Sequence, residues 1–445
     1  MKTKISAIAF VLVSALVLTG CGGGTESSQG QNLTVWLISD GTPSALQDYL
    51  TVQYKSLNGG NLWILEVPKD RIADDVHGVL EGEMLRPDLV EVSNTESPSL
   101  IAAGAFENIT ELYDLLGGDR LLQSFVEVGA ADGSNYTLPY YFHSRFIYFR
   151  QDIWKEANLN IPPSSLTAFN QAAMTIAEKN PLGIKDFSGF FIAGQDWHDA
   201  LAWIFANGGD IARKQADGSW VSTLSSPLTI EGLTQLQQLH SKACLAAWIA
   251  RQNDPWLYLN DTDITTDNTG RQVKTKISAA SIMSDISAQP MMGDLVRNYL
   301  GVEVRTWNDE TFGVFALPGN NGKPAPTFIS GSNIGVMAGT KHLEGTQQLL
   351  QIIYSREYQT MLAQNGMGPG NLDYWPLLGT DQFTRAMVDA ATNSKLTPAA
   401  PGWSLIEDSG TLEEFFQLIA EGGDIQALTQ KYDEIITPML NGVAE

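Results

Sequence analysis

Tryptophan and carboxylate are the side chains this sequence has in quantity to offer a partner molecule: eleven Trp, and 50 Asp and Glu against 27 Lys and Arg. Trp154 and Trp203 fall at apolar positions of helical patterns and are expected in the core. Trp63 and Trp220 fall in strand-like stretches and read as structural. Trp197, Trp256, Trp375 and Trp403 sit in polar or proline-bearing loops, where a large ring is costly unless it covers something. For Trp403 the expected role is to plug an edge between two lobes.

Catalytic patterns are scarce by comparison. The five histidines (His77, His143, His198, His240 and His342) form no HExxH pair, and there is no CxxC, so zinc has little support. Gly331-Ser332-Asn333-Ile334-Gly335 puts Asn at the centre, where a nucleophile elbow needs Ser. Gly319–Pro324 is too short for a P-loop, and Gly366-x-Gly368-x-Gly370 lacks a dinucleotide context. Asp254, Asp261, Asp263 and Asp267 fail the calcium-loop template and read as a solvated loop. Carboxylates are plentiful, but no spacing singles out a glycosidase pair. No cofactor is expected.

The elements around these residues alternate in type. Leu33–Ile38 is nearly continuously apolar, as a parallel strand buried on both faces must be. Similar runs recur at Asp88–Val92, Phe146–Phe149, Gly189–Ala193, Ala280–Met283, Thr311–Leu317 and Asn333–Ala338. Between them, Ile230, Leu233, Leu236 and Leu239 share a helical face behind a Ser226-Pro227 start. Thr411-x-x-Glu414 reads as a capping box, and Gln348–Leu362 as one stripe closed by Asn365-Gly366. Such alternation predicts α/β layers with right-handed crossovers.

The N-terminus has its own logic. Lys2 and Lys4 precede an apolar run, Ile5 to Leu18, too short to remain as a membrane span. It ends in Leu18-Thr19-Gly20-Cys21, a small-residue site before a Cys whose sulfur can take a lipid. Residues 1–20 are expected to be a lipoprotein signal peptide, and 21–31 a lipidated Cys21 with a Gly/Ser-rich tether. The expected location is the outer face of the cytoplasmic membrane. With Cys21 lipidated, Cys244 is the only thiol left and reads as a small buried helix residue.

Cleavage before Cys21 removes two lysines and takes the formal charge from −23 to −25. That field repels phosphate backbones and anionic headgroups, which disfavours nucleic acid and direct lipid-surface binding. About 415 residues remain beyond the tether, enough for two packed lobes.

Several stretches together resemble the extracytoplasmic solute-binding proteins of carbohydrate ABC importers, in the maltose-binding-like cluster. Leu33–Asp40 resembles the first strand, and Arg86–Glu96 the "PD-hydrophobic" strand that ends in a polar loop. Thr137-Leu138-Pro139-Tyr140-Tyr141, with Arg145 and Tyr148–Asp152 after it, is similar to the crossing from one lobe to the other. Gln195-Asp196-Trp197, Gly208–Ile211 and Ser219–Pro227 resemble the second-lobe core. Ala279–Asp285 and Ile329–Asn333 resemble the second and third crossings. The chain departs from the pattern between Trp248 and Ser278, which is longer and more polar, and at Ser284–Pro290.

The resemblance implies a two-lobed periplasmic-binding-protein-like fold of type II, each lobe a mixed sheet flanked by helices, joined by three crossings. It implies an N-terminal lobe of 32–141 plus 284–329 and a C-terminal lobe of 142–283 plus 330–445. The implied function is non-enzymatic: a monomer that captures a neutral mono- or oligosaccharide between its lobes and delivers it to ABC permease subunits. Sugars need rings against their C–H faces and planar polar groups at their hydroxyls. Trp197 is the expected stacking platform, with Trp256 and Trp375 as further candidates. Tyr141 and Arg145 are expected at the cleft, Arg145 bracing a ligand oxygen or pairing with Glu96 or Asp285 when the cleft is empty. Asn94 belongs to the polar ligand loop. Ser332 and Asn333 are expected either to donate to ligand hydroxyls or to bond within the hinge. A secreted carbohydrate-active hydrolase and a binder of another solute on the same scaffold are the rival readings.

Overall fold

The computed structural model describes residues 30–443 except 160, 185–186, 245–250, 252–253, 261 and 267–271. Cys21, the signal segment, most of the tether, Trp248, Asp261 and Asp267 therefore lie outside the described residues.

The chain begins with β1 (Leu33–Ile38), α1 (Ser44–Asn58), β2 (Leu62–Val67) and β3 (Leu89–Ser93), then the short α2 (Ser97–Ala102) and α3 (Gln123–Val128). Two long strands follow almost without a break, β4 (Thr137–Ser144) and β5 (Phe146–Arg150), with Arg145 between them. Next come α4 (Leu166–Lys179), α5 (Trp197–Ala206), α6 (Pro227–Lys242) and β6 (Ser281–Ser284). A hairpin of β7 (Asp294–Arg297) and β8 (Glu303–Thr306) leads to β9 (Phe312–Phe315) and β10 (Ile329–Val336). The rest is α7 (Leu343–Ile353), α8 (Arg356–Gln364), β11 (Gly368–Pro369), α9 (Gln382–Thr392), α10 (Trp403–Ser409), α11 (Thr411–Ala420) and α12 (Ile425–Leu440).

Two sheets divide these elements. The first has six strands in the order β11-β4-β10-β3-β1-β2. Its β1 pairs parallel with β2 and β3, while β10 runs antiparallel to β3 and β4. β1 and β3 are buried nearly throughout because helices cover both faces of the sheet. The second sheet is β6-β5-β9, antiparallel, widened by parallel bridges from Ser188 to Ala279 and from Phe191 to Ile282. The two-lobed α/β architecture is as the sequence implies.

The lobe boundaries need correcting. All five residues of β5 are buried, so it is a central strand that needs a partner on each side. Those partners are β6 and β9, which keep 284–315 in the second lobe. The chain returns to the first sheet only at Ile329, so β10 and the helices after it belong to the first lobe, where α7 and α8 pack with α1 and β1 in one core. Chain pairing therefore gives 30–144 plus 329–378 for the first lobe and 146–328 plus 382–443 for the second. The crossings fall at Arg145, at Phe328/Ile329 and near 379–381.

Local expectations fared unevenly. Ser226 caps α6 by accepting the Thr229 N–H. The 348–362 stripe is two helices, because Ser355 accepts the Tyr358 N–H and caps a new start. Thr411 caps nothing; its hydroxyl meets Ser409 at 2.6 Å and Gly410 takes the cap position. Cys244 is buried two residues beyond the end of α6, its thiol directed at the Ile192 carbonyl. Trp154, Trp203 and Trp403 are fully buried, while Trp63 stands half exposed on the edge strand β2.

Candidate functional site

Between the lobes lies a cleft with two connected chambers of about 420 Å³ each. Arg145, Trp197, His198 and Glu413 line both, so the chambers share a wall. One chamber extends into the second lobe, to Gln195, Trp256 and Asp285; the other reaches the first, to Asn94, Thr95 and Glu96.

The first-lobe wall is made where β3 ends. Residues 94–96 turn from the strand into α2, and the turn is tied down by the Asn94 side chain, which donates to the Ile329 carbonyl at 3.2 Å. β10 presents Ser330 and Gly331 beside it. Gly331 sits at φ +154°, and a Cβ there would lie 2.3 Å from the Tyr141 carbonyl oxygen. Only glycine lets β10 pass so close to β4 at this point.

The second-lobe wall is made where α5 begins. Asp196 caps the helix, its carboxylate accepting the Asp199 N–H at 3.2 Å, and so brings Trp197 to the cleft. The Trp197 ring lies against His198, with centroids 3.6 Å apart, and meets Phe328 and Trp403 edge-on. It is 2% exposed. Trp256 is half-buried and shows the cleft more of its surface.

Arg145, at the first crossing, is the electrostatic centre. Its Nη1 donates to Asp199 Oδ1 at 2.9 Å, and Asp196 lies 4.0 Å away. Burial alone would lower the guanidinium pKa, but Asp199, Asp196 and Asp285 outweigh it and keep the charge in place. Burial, with Asp196 alongside, pushes the Asp199 carboxyl up. His198 is held well below its ordinary value by burial, then by Arg145 and Lys69, so it is neutral at pH 7.

Opposite, the lobes touch. Thr95 donates to Glu407 Oε2 at 3.0 Å, and the Ser404 N–H donates to Ser99 at 3.3 Å. Burial and the neighbouring Glu407 push Glu96 up to about 7. Its Oε2 is buried with no hydrogen-bond partner among the described residues.

Of the residues singled out in the sequence, Trp197, Trp256, Arg145, Glu96, Asn94 and Asp285 line the cleft. Arg145 pairs with Asp199, not with Glu96 or Asp285. Tyr141, Ser332, Asn333 and Trp375 are not among the lining residues. Tyr141 is buried near Glu91, which burial raises to about 7 against the opposing pull of Ser332, the Ile38 amide and Tyr141. Asn333 points into the first lobe and donates to the Phe125 carbonyl and to Thr137, so its bonds lie inside that lobe and not at a crossing. Opposite Ser332 and Asn333 the register with β4 slips by one residue, Tyr140 standing unpaired between Pro139 and Tyr141, while β10 keeps a regular register with β3. Trp375 packs on Phe142 and donates to the Pro369 carbonyl.

His198, Asp199, Lys69, Glu407 and Glu413 were not anticipated. Asp199 carried a usable signal, since Asp196-x-x-Asp199 is a capped first turn. Glu407 and Glu413 carried none, because they reach the cleft only when α10 and α11 fold back against the first lobe.

The family described as bacterial extracellular solute-binding protein matches residues 79–360. A curated relative, the diacetylchitobiose binding protein DasA of Streptomyces coelicolor, is 22% identical over 438 residues, covering 95% of each chain. Among solved structures, the sugar-binding protein MalE of Xanthomonas citri superposes with a TM-score of 0.74 at 15% identity, over 93% of this chain and 98% of that one. UgpB of Mycobacterium tuberculosis, in complex with glycerophosphocholine, gives 0.67 at 16% identity, over 93% and 99%.

Proposed function

We propose that this chain, which belongs to the bacterial extracellular solute-binding protein family, is a lipid-anchored receptor that captures a mono- or oligosaccharide between its lobes and hands it to an ABC permease. The family binds solutes and does not turn them over, so the hydrolase reading falls away. One observation carries the sugar assignment: adjoining chambers, one lined by the second lobe and one by both lobes, in which tryptophans sit beside polar groups able to bracket hydroxyls. The name of the DasA relative supports the same class.

Capture follows from the three crossings. Rotation about Arg145, Phe328/Ile329 and 379–381 opens or closes the cleft while each sheet stays rigid. A ligand that touches both walls adds contacts to those, such as Thr95–Glu407 and Ser99–Ser404, that already join the lobes, and so favours the closed arrangement. The closed shape is what a permease reads. The anchor at Cys21 and the Gly/Ser tether keep the receptor beside that permease. In cells, Cys21→Ala should release the protein from the membrane fraction; retention would remove the anchor from the account.

The binding test is a thermal shift of the mature protein against sugars and glycans, diacetylchitobiose among them. Stabilisation by at least one sugar is expected. A shift with peptides or metal ions and none with sugars would overturn the assignment.

A further inference from the structure

Large apolar side chains stand in water at the end of the first lobe where residue 30 lies. Gly30 is packed there so closely that a Cβ on it would meet the Asn58 carbonyl oxygen at 2.2 Å. The Gln31 carbonyl accepts from the Tyr54 hydroxyl at 2.7 Å, and the Leu33 N–H donates to the Asn61 carbonyl at 2.9 Å. Leu57, in the last turn of α1, directly precedes Asn58, and Trp63 on β2 follows Asn61 closely. Leu343 opens α7, whose Gly345 N–H donates to the Gln31 side chain at 2.7 Å. Met84 and Leu85 precede Asp88, whose N–H donates to the Thr34 carbonyl at 2.8 Å, and Thr34 pairs with Trp63. All five side chains are exposed, Leu85 by 92% and Trp63 by 52%. Apolar surface gathered in this way marks a docking face.

Two observations say what covers it. The first is distance. Only nine residues, 21–29, separate Gly30 from Cys21, and they span about 30 Å at most when fully extended. With acyl chains on Cys21, the face stays that close to the headgroups and at high effective concentration. The second is charge. Lys55, Arg86 and Lys341 stand on this face against Glu81, Glu83 and Glu344. Asp88 behind them is buried and bonded to Thr340 and His342. The chain as a whole is strongly acidic, yet here the signs balance, so headgroup repulsion is locally relieved. Tryptophan and leucine suit the boundary between lipid and water. The exposed apolar side chains of the β7–β8 hairpin, such as Tyr299 and Leu300, belong to the other lobe, away from the tether.

We propose that this face rests on the lipid surface once Cys21 is acylated, with Trp63, Leu85 and their neighbours at headgroup level. This rests on the anchor reading above. β1 begins at this face, and β3, parallel to it, ends at Asn94–Glu96 in the cleft, so face and cleft lie at opposite ends of the first sheet. Docked, the receptor turns its cleft away from the membrane, towards incoming solute. To hand the solute on, it lets go of the lipid, and a few side chains are a hold weak enough to release. Without acyl chains the same face has too little apolar area to overcome the charge of the whole chain, and the protein stays in solution.

The test is hydrogen exchange of the mature protein, read by mass spectrometry, on phosphatidylcholine vesicles carrying some phosphatidylglycerol. Acylated protein inserted in the vesicles is compared with Cys21→Ala protein mixed with the same vesicles. The acylated form should exchange about threefold or more slowly in peptides covering 57–66 and 81–87, with the 294–306 hairpin unchanged. Leu85→Glu, at the most exposed of these side chains, should abolish that protection while the protein stays folded and on the vesicles. Equal exchange in the acylated and free forms, or protection of the hairpin in place of this face, overturns the docking and leaves the anchor standing. Protection that survives Leu85→Glu combined with Trp63→Ser overturns it as well. Absence of the acyl mass on Cys21 in protein purified from cells overturns the anchor, and the docking with it.

Discussion

The two walls of the cleft are built from opposite materials. The first-lobe wall is backbone and short polar side chains, Asn94 and Thr95 at the end of β3 and Ser330 and Gly331 on β10. The second-lobe wall is rings and an ion pair, Trp197 and Trp256 flanking Arg145–Asp199. A sheet edge can set hydrogen-bond donors and acceptors finely but has no room for a ring, as the Gly331 approach to Tyr141 makes plain. The start of α5 instead carries a large ring, Trp197, packed against His198, Phe328 and Trp403. On the proposed sugar reading, this division gives stacking to the second lobe and hydroxyl recognition to the first, and a ligand that favours closure touches both.

The sharpest way to break this comparison is Trp197→Ala. Because the ring is 2% exposed and packed on His198, Phe328 and Trp403, its removal should cost roughly 3–5 kcal/mol of stability, as for other buried Trp-to-Ala changes. Denaturant unfolding measures this. A loss below ~1 kcal/mol would mean that the ring is not part of the packed wall. Trp197 is then part of the packed floor of the chamber.

Arg145→Met comes next. It leaves Asp199 buried without its cation, at a cost of about 3 kcal/mol discounted for the quarter of Arg145 that remains exposed. Asp199→Asn in the same background should recover part of it, and failure to recover would place the damage outside the pair.

A pH comparison sharpens the first-lobe side. Glu91 is fully buried beneath that wall with its pKa raised to about 7. Between its ordinary value of 4.5 and about 7 the folded state holds the proton that the unfolded state has lost, so this group makes stability fall as pH rises across that window and not beyond it. Glu91→Gln should therefore gain about 2 kcal/mol more at pH 8 than at pH 5 relative to the parent. His240, buried and lowered to about 4, has the opposite sign: stability rises with pH between 4 and its ordinary 6.5. The parent profile mixes the two, which is why the difference between variants is the readout.

The smallest effect on the fold belongs to Trp256→Ala. This half-buried ring on a short turn should cost about 1 kcal/mol of stability or less, yet weaken sugar binding about tenfold or more. Retained affinity would move stacking to Trp197 alone.

Much of this was legible in the sequence. Continuous apolar runs revealed β1, β3 and β5 because strands buried on both faces have no alternative composition. The resemblance of Thr137–Asp152 placed the first crossing at 141/142, and strand pairing moves it to Arg145, because β4 stays in the first sheet as far as Ser144. A crossing close to Ile329 was expected as well, but the one expected near 283/284 does not occur, because β6 and β9 both stay paired with β5 and nothing local distinguishes them from strands that cross. The unpaired Tyr140 on β4 hid which side of the sheet Tyr141 faces, as a one-residue slip reverses the alternation along that strand. Glu407 and Glu413 were invisible for a further reason: their position depends on packing between lobes more than 300 residues apart in sequence.

The account stands or falls on a ligand that needs both walls. Titrating the mature protein with the sugar that gives the largest thermal shift should show tight one-to-one binding. Thr95→Val, on the first wall, and Trp256→Ala, on the second, should each weaken it about tenfold. Binding that survives both substitutions unchanged, or the absence of binding to any sugar, would contradict it.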